Sequence, residues 1–147
     1  MGFRFQKFDF YLAHPFPSRF RLRGWGEKLE KKYDISILNP FYDSDEQVDI
    51  EAIDAGRQER YTVPDDIIVD GDLQCIQSTK ATIANITGEL SYGTIMEIVY
   101  TKLYGHECYT IVTNGHEKHP WITRHSTKVF TSYEEFEEWL STSEYVK

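Results

Sequence analysis

Apolar residues in this chain fall in short bursts, and longer polar stretches with apolar residues every three or four positions separate them. Phe8-Asp-Phe-Tyr-Leu-Ala13 predicts a first strand, stopped by His14-Pro-Phe-Pro17, because two prolines forbid its continuation. A loop carrying Ser18, Arg19, Arg21 and Arg23 and then a polar helix to about Tyr33 are expected to follow. Ile35-Ser-Ile-Leu38 predicts a second strand closed by Asn39-Pro40. From Tyr42 to Tyr61 the chain is acidic with weak helical periodicity, which predicts a surface excursion. Ile67, Ile68, Leu73 and Ile76 predict a helix over 65–78, weakened by Gly71.

The run Ala81-Thr-Ile-Ala-Asn-Ile86 predicts a buried strand, followed by a helix opened at Gly93-Thr94 and ended at Gly105. Cys108-Tyr-Thr-Ile-Val112 is a fourth strand, Asn114-Gly115 starts a His-rich loop, and Lys128-Val-Phe130 is a short fifth strand. Ser132-Tyr-Glu-Glu135 has the spacing of a capping box for a last helix through Leu140. Strands that alternate with helices imply an α/β protein with a doubly wound parallel sheet and helices on both faces. The expected strand order is the flavodoxin-like 2-1-3-4-5, in a single domain spanning 1–147.

Composition narrows the class. Of 147 residues, 40% are hydrophobic and 15% aromatic, which suits a globular core rather than disorder. No apolar run has bilayer-spanning length, and Met1-Gly-Phe-Arg-Phe-Gln-Lys lacks a signal-peptide apolar region, so a soluble cytoplasmic protein without membrane partners is expected. Two cysteines, Cys75 and Cys108, are too few for a disulfide framework and are expected to be buried thiols. A net charge of −8 argues against binding a nucleic-acid polymer. The basic residues are concentrated early, eight against three acids in residues 1–32, which suits a small anion better than a polymer.

The chemistry centres on Glu97. It follows directly on the strand 81–86, and ligand crevices of open α/β sheets form beyond the carboxyl ends of strands. Placed in the first turn of its helix, it has two readings. Thr94-Ile-Met-Glu97 fits a capping box, in which the glutamate only satisfies backbone N–H groups; the same position also holds an ionised carboxylate ready to act as a nucleophile.

Three spaced elements converge in order: Tyr11-Leu-Ala-His-Pro-Phe16, Asp70-Gly-Asp72-Leu-Gln-Cys-Ile76 and Ser91-x-Gly93-Thr94-x-x-Glu97. Together they resemble the nucleoside 2-deoxyribosyltransferase family and its deoxynucleoside 5′-monophosphate N-hydrolase relatives, from Phe8 to about Val112. The resemblance implies Glu97 as the nucleophile at C1′ of the sugar and Asp72 as the acid that handles the proton at the base. A retaining displacement at an anomeric carbon needs such a pair, one carboxylate ionised and one able to donate, and no metal or cofactor. Substrate contacts are expected from Ser91, Gly93, Thr94, Tyr11, His14, Phe16, Arg19 and Asp70. The partner is a small-molecule deoxynucleoside or deoxynucleotide and, for a transferase, a free nucleobase.

Ser91 departs from the transferases, where an acid commonly receives the sugar 5′-hydroxyl; a serine there is a feature of the monophosphate hydrolases. Arg19, Arg21 and Arg23 are candidates to complete a phosphate site, since guanidinium groups match phosphate oxygens. The first loop, Leu-Ala-His-Pro-Phe, is closer to the transferases. Downstream, Lys118-His-Pro-Trp-Ile122 lacks the asparagine that transferases supply from a neighbouring subunit; a homodimer or higher homo-oligomer is still expected.

Other features carry less. His106, His116, His119 and His125 with Cys108 fit no zinc spacing, so no metal is expected. Gly24-Trp-Gly26 is a fragment of a dinucleotide fingerprint lacking its third glycine. Tyr11, Phe16, Trp25 and Tyr92 are candidates to stack on a base, with Phe16 the favoured one. A non-catalytic nucleotide-binding module is the rival from another class.

Overall fold

The computed structural model describes residues 8–43, 64–88 and 91–146. The excursion expected over 42–61 lies almost wholly outside the described residues. Five parallel strands, β1 (Phe8–Ala13), β2 (Ile37–Leu38), β3 (Thr79–Ile86), β4 (Glu107–Val112) and β5 (Lys128–Phe130), form one sheet in the order 2-1-3-4-5. The expected fold class is therefore the observed one. Helices α1 (Arg19–Tyr33), α2 (Pro40–Asp43), α3 (Asp65–Gln77), α4 (Tyr92–Leu103), α5 (Pro120–His125) and α6 (Tyr133–Ser141) connect and cover the strands.

The strands are apolar on both sides because both sides are covered. Alternation then sorts each run into two cores. Phe10, Leu12, Ala81, Ile83, Tyr109 and Ile111 pack with Leu22 and Leu29 of α1 and Phe136 and Leu140 of α6. Tyr11, Ala13, Ala84, Ile86, Cys108 and Val112 pack on the opposite side with Ile76 of α3, Ile98 of α4 and Ile122 of α5.

Several local expectations are corrected. Arg19, Arg21 and Arg23 sit in the opening turns of α1, not in a loop: a short 3-10 turn over Phe16–Ser18 follows Pro15 directly, and α1 continues from it. Strand β2 is only two residues long, Ile37–Leu38, although Ser36 already meets β1 through its carbonyl, which accepts from Phe10 N at 3.0 Å; Asp34 ends α1 in a left-handed conformation (φ 53°). Asn39-Pro40 starts a helical turn rather than only closing the strand: Pro begins α2, and Asp43 Oδ2 accepts from Asn39 N at 2.9 Å. The His-rich loop holds α5, entered at Pro120 with His119 accepting from Trp121 N at 3.2 Å. Ser132 does cap α6, but Glu135 turns back to Thr131 rather than to Ser132. Cys108 is buried whereas Cys75 is half-buried. Among the described residues no helix is long and apolar enough to cross a membrane.

Burial has a consequence for alkaline stability. It pushes the Cys108 thiol from 9.0 up to about 12. The Tyr11 phenol, wholly buried with Glu97 nearby, is also raised well above its usual 10.0. Above pH 9.0 the unfolded chain gives up the Cys108 proton while the folded chain keeps it, so stability is full below that pH and drains away as the pH climbs toward about 12. Urea denaturation at about pH 8 and about pH 11 is expected to give a clearly lower midpoint at the higher pH. A Cys108→Ser variant is expected to lose less of its midpoint over that interval.

Candidate active site

The carboxyl ends of β1 and β3 open onto a cleft of about 470 Å³. Its walls come from the turn after β1 (His14, Phe16), the start of α2 (Phe41), the middle of α3 (Asp72) and the amino end of α4 (Ser91, Gly93, Thr94, Glu97). Four segments separated in sequence thus build one hollow around Asp72 and Glu97.

Glu97 is fixed from both sides. Helix α4 begins at Tyr92, with Ser91 as the residue that caps it: Ser91 Oγ accepts from Thr94 N at 3.2 Å and from the Thr94 hydroxyl at 2.9 Å. This overturns the capping-box reading of Thr94–Glu97, because the cap lies three residues earlier and Glu97 falls in the second turn, past the unpaired N–H groups. One turn further on, the buried Thr101 hydroxyl donates to the Glu97 carbonyl oxygen at 2.7 Å. With its proton so used, Thr101 Oγ1 accepts from Thr82 of β3 at 2.9 Å. Two hydroxyls therefore lock the acid's helix to the central strand.

The Glu97 side chain is gripped as well. The Tyr11 phenol of β1, wholly buried, donates to Glu97 Oε2. Burial and the charges of Glu97 and Asp72 keep that phenol protonated, so it remains a donor throughout the working pH range. Gly93 lies one turn before Glu97 on the same helix face, and a Cβ there would stand 4.0 Å from Oε1. Any longer side chain at 93 would lie across the carboxylate, so glycine keeps that approach open.

His14 lines the cleft but is 4% exposed, and both its ring nitrogens face protein oxygens. Nδ1 is 3.0 Å from the Pro15 carbonyl oxygen, and Nε2 is 3.2 Å from Asn39 Oδ1; a neutral ring donates to one of these two acceptors. Burial, reinforced by Arg21 and Arg19, lowers its pKa, so the ring is neutral at pH 7 and forms wall rather than a proton donor to a ligand. Phe41 ties this wall together, with its ring 5.0 Å from His14 and 5.3 Å from Phe16. The sequence reading missed Phe41; the signal was Asn39-Pro40, the start of a helical turn that carries the next ring into the cleft.

Three anticipated contacts lie elsewhere. Tyr11 is beneath the floor, bonded to Glu97, and presents no face for stacking. Arg19 is outside the lining: its guanidinium donates to the Phe16 carbonyl oxygen at 3.0 Å and covers the Phe16 ring at 3.8 Å, bracing the turn. Asp70 is exposed and two residues from Asp72, which on a helix points it away from the cleft. Arg23 pairs with Glu27 at 3.2 Å, and Arg21 lies over Tyr133, so neither arginine joins the cleft. Trp25 packs against Tyr133 and Phe136, on the opposite face of the sheet. Tyr92 is 81% exposed at the mouth. Among the described residues no group of three histidine, cysteine or acidic side chains is placed to hold a metal.

This is a parallel α/β sheet with a carboxylate pair over its carboxyl edge, and the architecture is that of the nucleoside 2-deoxyribosyltransferases. A 2-deoxyribosyltransferase from the psychrotolerant bacterium Bacillus psychrosaccharolyticus superposes with a TM-score of 0.67 at 16% identity, covering 89% of this chain and 91% of that one. A 2-deoxyribosyltransferase from Leishmania mexicana gives 0.60 at 20% identity over 91% and 97% of the two chains. A CMP N-glycosidase of Clostridium botulinum gives 0.58 at 15% identity over 90% and 97%. At these identities the likeness is one of fold. No family model and no curated protein matches the sequence.

The grip of Tyr11 on Glu97 yields a prediction. Tyr11→Phe removes a donor that favours the ionised carboxylate, so the acid limb of the pH–rate profile is expected to move to higher pH. At neutral pH the expected loss in kcat is roughly tenfold, the worth of one hydrogen bond to a charged group. Equal losses at every pH would mean that the phenol serves packing alone.

Proposed function

We propose that this chain cleaves the N-glycosidic bond of 2′-deoxynucleosides or their 5′-monophosphates through a covalent intermediate on Glu97, acting as a nucleoside 2-deoxyribosyltransferase. The observation that carries the reading is the meeting of Asp72 and Glu97 in one cleft, with a protonated phenol on the glutamate. The Glu97 carboxylate attacks C1′ as the bond from C1′ to the base nitrogen breaks. The departing electron pair goes to the base, which takes a proton from Asp72. The glycosyl ester is then resolved by the nitrogen of a second base, whose proton returns to Asp72. Phe16 and Phe41 supply flat apolar surface for the base.

A second reading, hydrolysis of 5′-monophosphates, is favoured by Ser91. Its oxygen accepts twice from Thr94, which leaves its own proton available to a phosphate, and the amino end of a twelve-residue helix lines the same cleft. Against it, no lysine or arginine lines the cleft among the described residues.

Incubation with deoxynucleosides plus an acceptor base, and separately with deoxynucleoside monophosphates alone, tests both. Base exchange supports transfer; released base and deoxyribose 5-phosphate support hydrolysis; no cleavage of either removes the proposal. Ser91→Asp is expected to raise the preference for nucleoside over monophosphate by about 100-fold or more, because a carboxylate would repel the phosphate. Competition kinetics with paired substrates measures it. We also propose a homo-oligomer in solution, which sedimentation velocity tests.

A further inference from the structure

The cleft opens where β1 leaves β3. Pairing between these two strands ends at Ala13 and Ala84, and Pro15 and Pro17 have no N–H to carry it further. Strand β3 runs on for two residues, Asn85 and Ile86, in register with Ile111 and Val112 of β4. Asn85 is thus the first residue of β3 past its last partner in β1. Its side chain lies on the side of the sheet that carries Ile83 and Ile111, the side covered by α1 and α6. From there Nδ2 donates across the gap to the Ala13 carbonyl oxygen at 3.0 Å. His14 and Phe16, which wall the cleft, follow Ala13 within three residues.

For the fold by itself this amide is a poor choice. Asn85 interrupts an apolar run and is wholly buried, and its Oδ1, buried too, has no partner among the described residues. The orientation is fixed, because the Ala13 carbonyl only accepts and the NH₂ must face it, which leaves the oxygen as the orphan. A buried acceptor without a donor costs at least as much as a single neutral hydrogen bond returns. Leucine, of similar size, would remove the orphan and leave only a carbonyl with an unused lone pair, the cheaper omission. Stability therefore gives no reason for an asparagine here, whereas the need to hold a turn in place does.

The helix that carries Glu97 is fixed to β3 through Thr101 and Thr82, and the turn that carries His14 and Phe16 is fixed to β3 through Asn85. Strand β3 is the common frame for both. Further out, Ser18 Oγ and Thr87 Oγ1 approach to 3.5 Å across the same gap, too far apart to fix the turn alone. We infer that Asn85 is a positioning residue, whose amide holds the ring-bearing turn at the separation from Glu97 that cleavage requires. This role rests on the function proposed above.

Asn85→Leu is the test. Its urea midpoint is expected to equal or exceed that of the unaltered chain, while kcat/KM for a deoxynucleoside falls about tenfold to 100-fold, the effect of a displaced wall. The acid limb of the pH–rate profile is expected to stay where it is, because the Tyr11 phenol still donates to Glu97. Hydrogen exchange should quicken at His14, Phe16 and Ser18, whose N–H donates to the Pro15 carbonyl oxygen at 3.0 Å, and not in β4. Asn85→Asp supplies a rescue. Its protonated carboxyl offers Ala13 an O–H in place of the N–H, so at about pH 5 it is expected to keep more of the unaltered chain's rate than Asn85→Leu does.

The inference is overturned if the unaltered chain cleaves deoxynucleosides and Asn85→Leu does so within about twofold of its kcat/KM. It is equally overturned if Asn85→Leu loses stability or fails to fold, since the amide then serves the fold, or if the acid limb moves. An unaltered chain that cleaves nothing removes the proposed function, and this role with it; the exchange rates then still report whether Asn85 holds the turn.

Discussion

Glu97→Gln is expected to abolish glycosidic cleavage, lowering kcat by at least about 1,000-fold, while nucleoside binding and the fold survive. The amide keeps the length of the side chain and offers an oxygen to the Tyr11 phenol, so the buried donor stays satisfied. Glu97→Ala removes that acceptor and is expected to cost a further 1–3 kcal/mol, roughly, in stability from an unpaired buried hydroxyl. Comparing the two separates chemistry from folding. Trapping gives a second readout: acid quenching of the native enzyme with labelled deoxynucleoside should leave label on the peptide containing Glu97, and the glutamine variant should carry none. Unchanged turnover in Glu97→Gln would falsify the nucleophile assignment, and with it the preference for an enzyme over a passive binding module.

Asp72→Asn is expected to lower kcat by about 100- to 10,000-fold, with the loss graded by the base. An asparagine fills the same space on α3 but carries no proton to lend. Bases that leave only after protonation should suffer the full loss. A 7-methylguanine deoxynucleoside, whose base departs neutral without a proton, should be cleaved almost as fast as by the unaltered chain. Steady-state rates on a pair of such substrates measure the difference. If both fall equally, Asp72 contributes binding or structure rather than proton transfer.

The strands, their order and most helices were legible in the sequence because burial on both faces makes central strands continuous apolar runs. Misread elements were those set by a cap or a turn. The reading of Glu97 as a cap failed since Ser91 and Thr94 both have suitable hydroxyls, and sequence does not say which one ends the chain's approach. The arginines were misplaced because Pro15 and Pro17 hide a helix start as readily as they mark a loop. At the site, the motifs brought forward Asp72, Ser91, Gly93, Thr94 and Glu97, residues of two helices whose spacing is local. Phe41 and the bond from Tyr11 to Glu97 escaped, since each depends on elements that meet only once the sheet is assembled. Arg19 and Asp70 were drawn in by charge and proximity in sequence, neither of which fixes a side chain's direction.

The two hydroxyls of Thr82 and Thr101 have a consequence for how such a protein changes over time. They seat Glu97, the proposed nucleophile, by interior bonds that no surface residue touches, whereas the mouth is built from turns at the ends of β1 and β3. On the proposed function, reactivity and selectivity are thereby housed in separate parts of the molecule. Exchanging the turns should retarget the protein to new bases or sugars without disturbing the acid, which makes them the places to begin redesign.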